Sequence, residues 1–207
     1  ALRFRRVGGT EYEESHHDVP PRIRLPELLH AADAVARDDH SAEGLAAVKV
    51  LLDAGTGTLG GARPKASVLG DANDLHIAKF PHHLDEWDVM AWEKTALDLA
   101  EAAGISVPAR SITKVDGRTV LLLRRFDRRH GRRIGYMSAM TLIQGRDGGN
   151  LDYEDLGEAI MDAGAATDSD LADLWRRIAF SVAVHNTDDH MRNHGFLRHD
   201  DAWTMSP

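Results

Sequence analysis

Leucines and alanines recur at three- and four-residue intervals over residues 25–36 and again over 42–53. That spacing gathers them on one helical face and predicts two amphipathic helices. Two short strands are expected next, Ala66–Leu69 and His76–Phe80, around a turn containing Gly70, Asp71 and Asn73. In the second strand Ile77 and Lys79 share one face, and Ala78 and Phe80 share the other. A long helix is expected over about 85–103, stopped by Gly104. Strands Ile105–Ile112 and Thr119–Phe126 follow, joined by an Asp116-Gly117 turn.

After a basic turn, Arg128–Arg133, the pattern becomes helical: Ser138–Ile143, Tyr153–Ala163 and Asp170–His185. The last is apolar almost all round from Ile178 to Val184, which predicts burial at the centre of a lobe. Trp87, Trp92, Trp175 and Trp203 are expected to serve as core or lobe-packing residues. Residues 8–24 carry no periodicity and read as an exposed segment. The chain is thus expected to be α+β: a sheet-bearing lobe over residues 1–126 and a mainly helical one over 127–207.

Composition narrows the function classes. The 207 residues include 33 acidic and 25 basic ones, a net charge of −8, which argues against a general electrostatic grip on nucleic acid. Cysteine is absent, so disulfides and thiolate chemistry are excluded and a cytoplasmic location is the expectation. No stretch approaches the roughly 20 apolar residues that cross a bilayer. The chain opens on Ala1 and closes on Met205-Ser206-Pro207, and both ends read as cut.

Three features carry candidate chemistry. The glycine-rich stretch 55–65, with Gly55, Gly57, Gly60 and Gly61 followed by Ala62, Arg63, Pro64 and Lys65, can bring backbone N–H groups and positive charge to an anion; a plain flexible turn is the alternative. Glu93 falls in the apolar stripe of Val89, Ala96, Leu97 and Ala100, where a carboxylate needs a cation; Lys79 on the preceding strand is the natural partner. Residues 186–193, Asn-Thr-Asp-Asp-His-Met-Arg-Asn, crowd polar groups at the end of an apolar helix. Asp188 and Asn193 stand five apart, the spacing of the catalytic Asp and metal-binding Asn of kinase loops, although a capped polar turn has the same composition. His16-His17 and His82-His83 are not read as zinc sites, because adjacent histidines point in different directions.

Gly-Gly-Ala-Arg-Pro-Lys (60–65), His-Ile-Ala-Lys-Phe-Pro (76–81), Gly-Ile-Ser-Val-Pro (104–108), Arg-Arg-Phe-Asp-Arg (124–128) and the 186–193 loop occur in that order. Together they resemble HipA-type serine/threonine kinase toxins. The resemblance implies a two-lobed, protein-kinase-like fold that binds ATP between the lobes and transfers its γ-phosphate to a protein hydroxyl. It implies Lys79 on the phosphates with Glu93 supporting it, and a cradle of Gly60, Gly61, Ala62, Arg63 and Lys65. Arg124 and Phe126 would form the adenine hinge, Asp127 and His190 would reach the ribose, Asp188 would be the catalytic base, and Asn193 a Mg²⁺ ligand. Thr58 takes the position of the family's autophosphorylated serine, with Thr56 a near rival.

A further metal-binding Asp is implied just beyond Pro207, so the sequence reads as a piece of a kinase. As partners the resemblance implies a helix-turn-helix antitoxin of HipB type, DNA only through that antitoxin, and a protein substrate such as an aminoacyl-tRNA synthetase; no membrane partner is expected. A small-molecule kinase on a related fold, or a non-catalytic nucleotide- or antitoxin-binding fragment, are the alternatives.

Overall fold

Two-residue alternation organises the first half of the chain. The computed structural model describes residues 19–37, 41–54, 63–70, 74–129, 132–146, 149 and 151–207. They divide into two compact units, one drawn from Ala1–Lys94 and Ala109–Arg125, the other from Thr95–Pro108 and Phe126–Pro207.

In the first unit β1 (Lys65–Leu69), β2 (Leu75–Lys79), β3 (Arg110–Val115) and β4 (Arg118–Arg124) form an antiparallel sheet in the order β1-β2-β4-β3. Asp116 and Gly117 both adopt positive φ, 47° and 76°, which gives the β3–β4 hairpin the mirror-image turn that matches strand twist. One face of the sheet carries Ala66, Val68, Ala78, Val120 and Leu122, and with Phe80 these cluster with Leu25, Leu28, Leu29 and Ala32 of α1 (Leu25–Ala36). Helix α2 (Ala42–Asp53) adds Leu51 and is capped by Ser41, whose Oγ accepts from Gly44 N.

Polar contacts set the edges of this unit. Arg118 on β4 donates two hydrogen bonds to Asp33 on α1, at 2.9 and 2.5 Å. Burial pushes the Asp33 carboxyl up, and the Arg118 bonds and charge outweigh it, holding the group below the usual carboxylate range. Asp88 accepts from Ala91 N at 3.1 Å and so caps α3 (Val89–Ala102). That helix starts four residues later than periodicity indicates, because Asp85 is occupied by Arg63 and by His82 N, and Asp88 takes the cap. The strand expected over 105–112 lies instead at 110–115, in register with β4.

The second unit carries the sheet β7-β8-β9, formed by Tyr136–Ser138, Gly195–His199 and Ala202–Met205, with β5 (Arg128–Arg129) paired to β6 (Arg132–Arg133) where a basic turn was expected. Helices α4 (Ala139–Leu142), α5 (Tyr153–Ala163) and α6 (Thr167–Ala183) contribute to a core of Ala139, Leu156, Ile160, Leu174, Met191 and Phe196. α5 opens with a capping box of Asp152 and Asp155. Two side chains bind α6 to the end of β9: Asp170 accepts from Met205 N, and Arg177 donates to Ser206 O.

Two sequence expectations are corrected here. The apolar end of α6 is not buried: Val182 is 76% exposed and Val184 42%. The α5 and β9 packing covers one side of the helix through Leu174, and the other side carries Trp175 and Val182 in the open. Trp87, Trp92 and Trp175 are likewise exposed, and among the tryptophans only Trp203 packs against a core.

Replacing Arg118 with Ala leaves the Asp33 carboxylate buried without its cation and is expected to cost about 2–3 kcal/mol at neutral pH, the lower end for a broken buried pair because Arg118 is one-third exposed. The folded-state pKa of Asp33 is depressed, so the pair stabilises fully above the unfolded value near pH 4 and loses its contribution as pH falls through the folded value. Urea denaturation of wild type and variant at pH 7 and pH 3 checks this: the difference between them shrinks at the lower pH.

Candidate functional site

Ala78 and Phe80 are fully buried on the α1 side of the sheet, so the pleat turns Lys79 to the opposite face. There Lys79 Nζ donates to Glu93 Oε1 on α3, forming an ion pair with both side chains about three-quarters buried. The pair anticipated from the sequence is made.

Lys79 also stands directly opposite Lys65 in the β1–β2 register. Like charges facing each other across an antiparallel pair are destabilising, and Lys65 is 8% exposed. Burial pulls the Lys65 ammonium down, the charge of Lys79 lowers it further, and Glu93 offsets part of this. Two ammonium groups thus lie near the Glu93 carboxylate, a grouping of positive charge that suits an anion such as phosphate. Arg63 is committed nearby to Asp85 through two hydrogen bonds of 2.9 and 2.8 Å, which raises its own pKa and depresses that of Asp85. Thr58, Gly60, Gly61 and Ala62 lie outside the described residues.

The other candidate groups begin at the end of α6. His185 adopts φ 54°, and Asn186 N reaches back to Ser181 O at 2.8 Å, a left-handed helix stop that releases the chain into the 186–193 loop. Asp188 N donates to Asn186 Oδ1, Asn193 N to His190 O, and Asn193 Nδ2 to the Asp188 carbonyl at 2.5 Å. The Asp188 and Asn193 side chains are exposed, and this amide bond leaves Asn193 Oδ1 as the atom available to a cation. His190 is exposed and accepts from Arg192 N.

Behind the loop lies a network that the sequence reading missed. Asp189 accepts from Ser181 Oγ at 2.8 Å and meets His194 Nε2 at 3.0 Å, and the Tyr153 hydroxyl also bonds to it. Burial pushes the Asp189 carboxyl up, but these donors hold it below the usual range, while burial and the Asp189 charge raise the Tyr153 phenol to about 12. Tyr153 packs edge-on to the His194 ring at 5.7 Å. A cavity of about 510 Å³ opens beside Tyr153, Asp189, His190 and Met191.

The hinge candidates divide. Arg124 pairs with Asp74 and its amide donates to Ala109 O, both within the first unit. Phe126 sits 6.1 Å from the Tyr136 ring, and Asp127, 7% exposed, accepts from Arg128. Among the described residues no three His, Cys, Asp or Glu side chains gather to hold a metal.

The family profile of the HipA-like C-terminal domain matches residues 57–207. The chain belongs to this HipA-like family. Its fold is also that of a Helicobacter pylori proinflammatory kinase, CtkA, at TM-score 0.59 and 20% identity over 72% of this chain and 53% of that one. It resembles a chain in the Shewanella oneidensis MR-1 complex of HipA, HipB and operator DNA at TM-score 0.56 and 18% identity, over 72% of this chain and 42% of the other. The chain therefore spans about half the length of the solved structures it matches. No curated protein sequence matches it. The kinase-like α+β fold follows from these likenesses, and no helix among the described residues is long and apolar enough to cross a membrane.

Glu93→Gln removes the one carboxylate paired with Lys79 and leaves that lysine facing Lys65. Stability is expected to fall by about 1 kcal/mol, a Tm shift of about 2–4 °C. Raising salt to about 0.5 M, or adding inorganic phosphate, should recover part of it by screening or occupying the excess charge. Thermal melts of both proteins at low and high salt read this directly.

Proposed function

We propose that this HipA-type protein is an ATP-dependent serine/threonine protein kinase. The observation that carries the reading is the Lys79–Glu93 ion pair with Lys65 opposite, because strand-lysine and helix-glutamate pairs of this kind align nucleotide phosphates in kinases.

Lys79, Lys65 and the glycine-rich stretch that precedes them hold the phosphates in this reading. Phe126 and the backbone from Arg124 meet the adenine, and Asp127 and His190 take the ribose. Asp188 orients the acceptor hydroxyl and removes its proton. Asn193 would offer one neutral oxygen to Mg²⁺, an ion that would supply positive charge for the phosphates when bound. Thr58 is the proposed site of self-phosphorylation, in a stretch whose chemistry already favours anions.

The wider biological setting is proposed on the same footing. One matched structure is a toxin–antitoxin complex of HipA with HipB and operator DNA. A HipB-type antitoxin is accordingly the proposed partner, with DNA engaged through it, a cytoplasmic location, and a protein such as an aminoacyl-tRNA synthetase as acceptor.

The test is intact-mass spectrometry of the full-length protein before and after incubation with Mg²⁺ and ATP. Gain of one phosphate mapping to Thr58 or its neighbours supports the reading; nucleotide binding with no transfer to itself or to acceptor proteins overturns it. Asp188→Ala should reduce transfer by about a thousandfold or more while ATP affinity stays within about twofold. Retained turnover in that variant removes Asp188 from the role of base.

A further inference from the structure

A buried carboxylate that no step of the proposed reaction uses lies next to one that the reaction needs. The Asp189 side chain is 12% exposed and that of its partner His194 5%. Its bonding partners come from separate places: Ser181 near the end of α6, Tyr153 at the start of α5, and His194 immediately before β8.

The other bonds of the loop are mostly internal. Asp188 to Asn186, Arg192 to His190, and Asn193 to both His190 and Asp188 close the loop on itself and do not anchor it to the surrounding unit. Met191 anchors by packing into the core and by accepting from Met140 N at 3.1 Å. The Asp189 side chain binds the loop to both long helices, and its bond to Ser181 spans the left-handed turn at His185.

We propose that Asp189 is a positioning residue: clamped by Ser181, Tyr153 and His194, it fixes the backbone from which Asp188 and Asn193 project. The inference rests on the kinase reading for its catalytic consequence but not for its structural one. Asp188 immediately precedes Asp189 in the chain, so a rotation of the Asp189 peptide moves the neighbouring carboxylate directly. Asn193 is tied to the Asp188 carbonyl and moves with it. Small displacements of a proton-accepting group carry large rate penalties, because catalysis depends on near-attack geometry. ATP affinity, to which Lys79, Lys65 and the groups from Arg124 to Asp127 contribute alongside His190, changes less than the rate does.

Asp189→Asn keeps the shape and removes the charge, and Ser181→Ala deletes one donor. Ser181→Thr restores a hydroxyl, and Tyr153→Phe is a milder second probe should Asp189→Asn fail to fold. In the full-length protein with Mg²⁺ and ATP, Asp189→Asn and Ser181→Ala are expected to lower kcat by about ten- to a hundredfold, with KM for ATP changed less than about twofold. Ser181→Thr should recover most of the loss. Amide hydrogen exchange is read on the same proteins: peptides covering 186–193 should exchange about tenfold faster in Asp189→Asn and Ser181→Ala while α5 and α6 keep their protection.

Unchanged kcat in variants of lowered Tm would make the network a purely stabilising contact and overturn the proposal, as would unchanged exchange across the loop. If the wild type transfers no phosphate, the kinase reading falls. The exchange data still decide the clamp in that case: a loosened loop keeps it, and an unaltered loop removes it.

Discussion

Because side chains alternate along a strand, a slip of one residue in β2 would carry Lys79 into the apolar face now filled by Ala78 and send Phe80 out of it. Burying an ammonium there without a partner costs several kcal/mol, so the packing of small and aromatic residues under α1 fixes which side of the sheet holds the charge. β2 is paired on both flanks, by β1 and by β4, which leaves the register no freedom. The placement of the lysine side chain is therefore dictated by side chains on the other face of the sheet. The same register brings Lys65 opposite Lys79, a juxtaposition that packing alone would not favour.

The second unit handles its charges in a different way. Asp188 and Asp189 are adjacent and chemically identical, yet one is exposed and the other is enclosed by a serine hydroxyl, a phenol and an imidazole. An enclosed carboxylate is tolerable only when its oxygens are satisfied, and once satisfied it is a stiff attachment in a region of low dielectric. The exposed neighbour is left open to solvent. A loop built in this way can be mostly polar and still be held at its middle.

Much of this was legible from residue order. Strand alternation around Ala78 and Phe80 put Lys79 on the far face, and the stripe around Glu93 called for a cation, so the pair was legible as an expectation, and the structure supplies the contact. The Asp116-Gly117 turn and helices 25–36, 42–53 and 153–163 were equally plain, since local turn chemistry and strong periodicity decide them. Elements set by tertiary competition were not. The start of α3 depends on which of two nearby aspartates Arg63 captures, and nothing local to residues 85–88 says so. The apolar run at Ile178–Val184 suggested a buried helix, but apolar composition records what a surface could bury and not how much of it these neighbours cover. Asp189 was missed because a doublet of aspartates carries no mark of which member turns inward. The signal available was Ser181, eight residues earlier on the face where α6 ends, and His194, five residues later; neither spacing has meaning until the left-handed turn at His185 folds them together.

The strand order of the first unit has a consequence for how the molecule is made. β4 lies between β2 and β3, and it is the last of the four strands to leave the ribosome. Until residue 124 has emerged, β1 and β2 are a two-stranded pair resting on α1 and α2, with the β2 edge that will bind β4 still open. The segment Thr95–Pro108, which belongs to the other unit, must be synthesised in between. The sheet that orients Lys79 consequently closes late, by joining segments distant in the chain, the class of contact that folds slowly and leaves strand edges open to misassembly in the meantime.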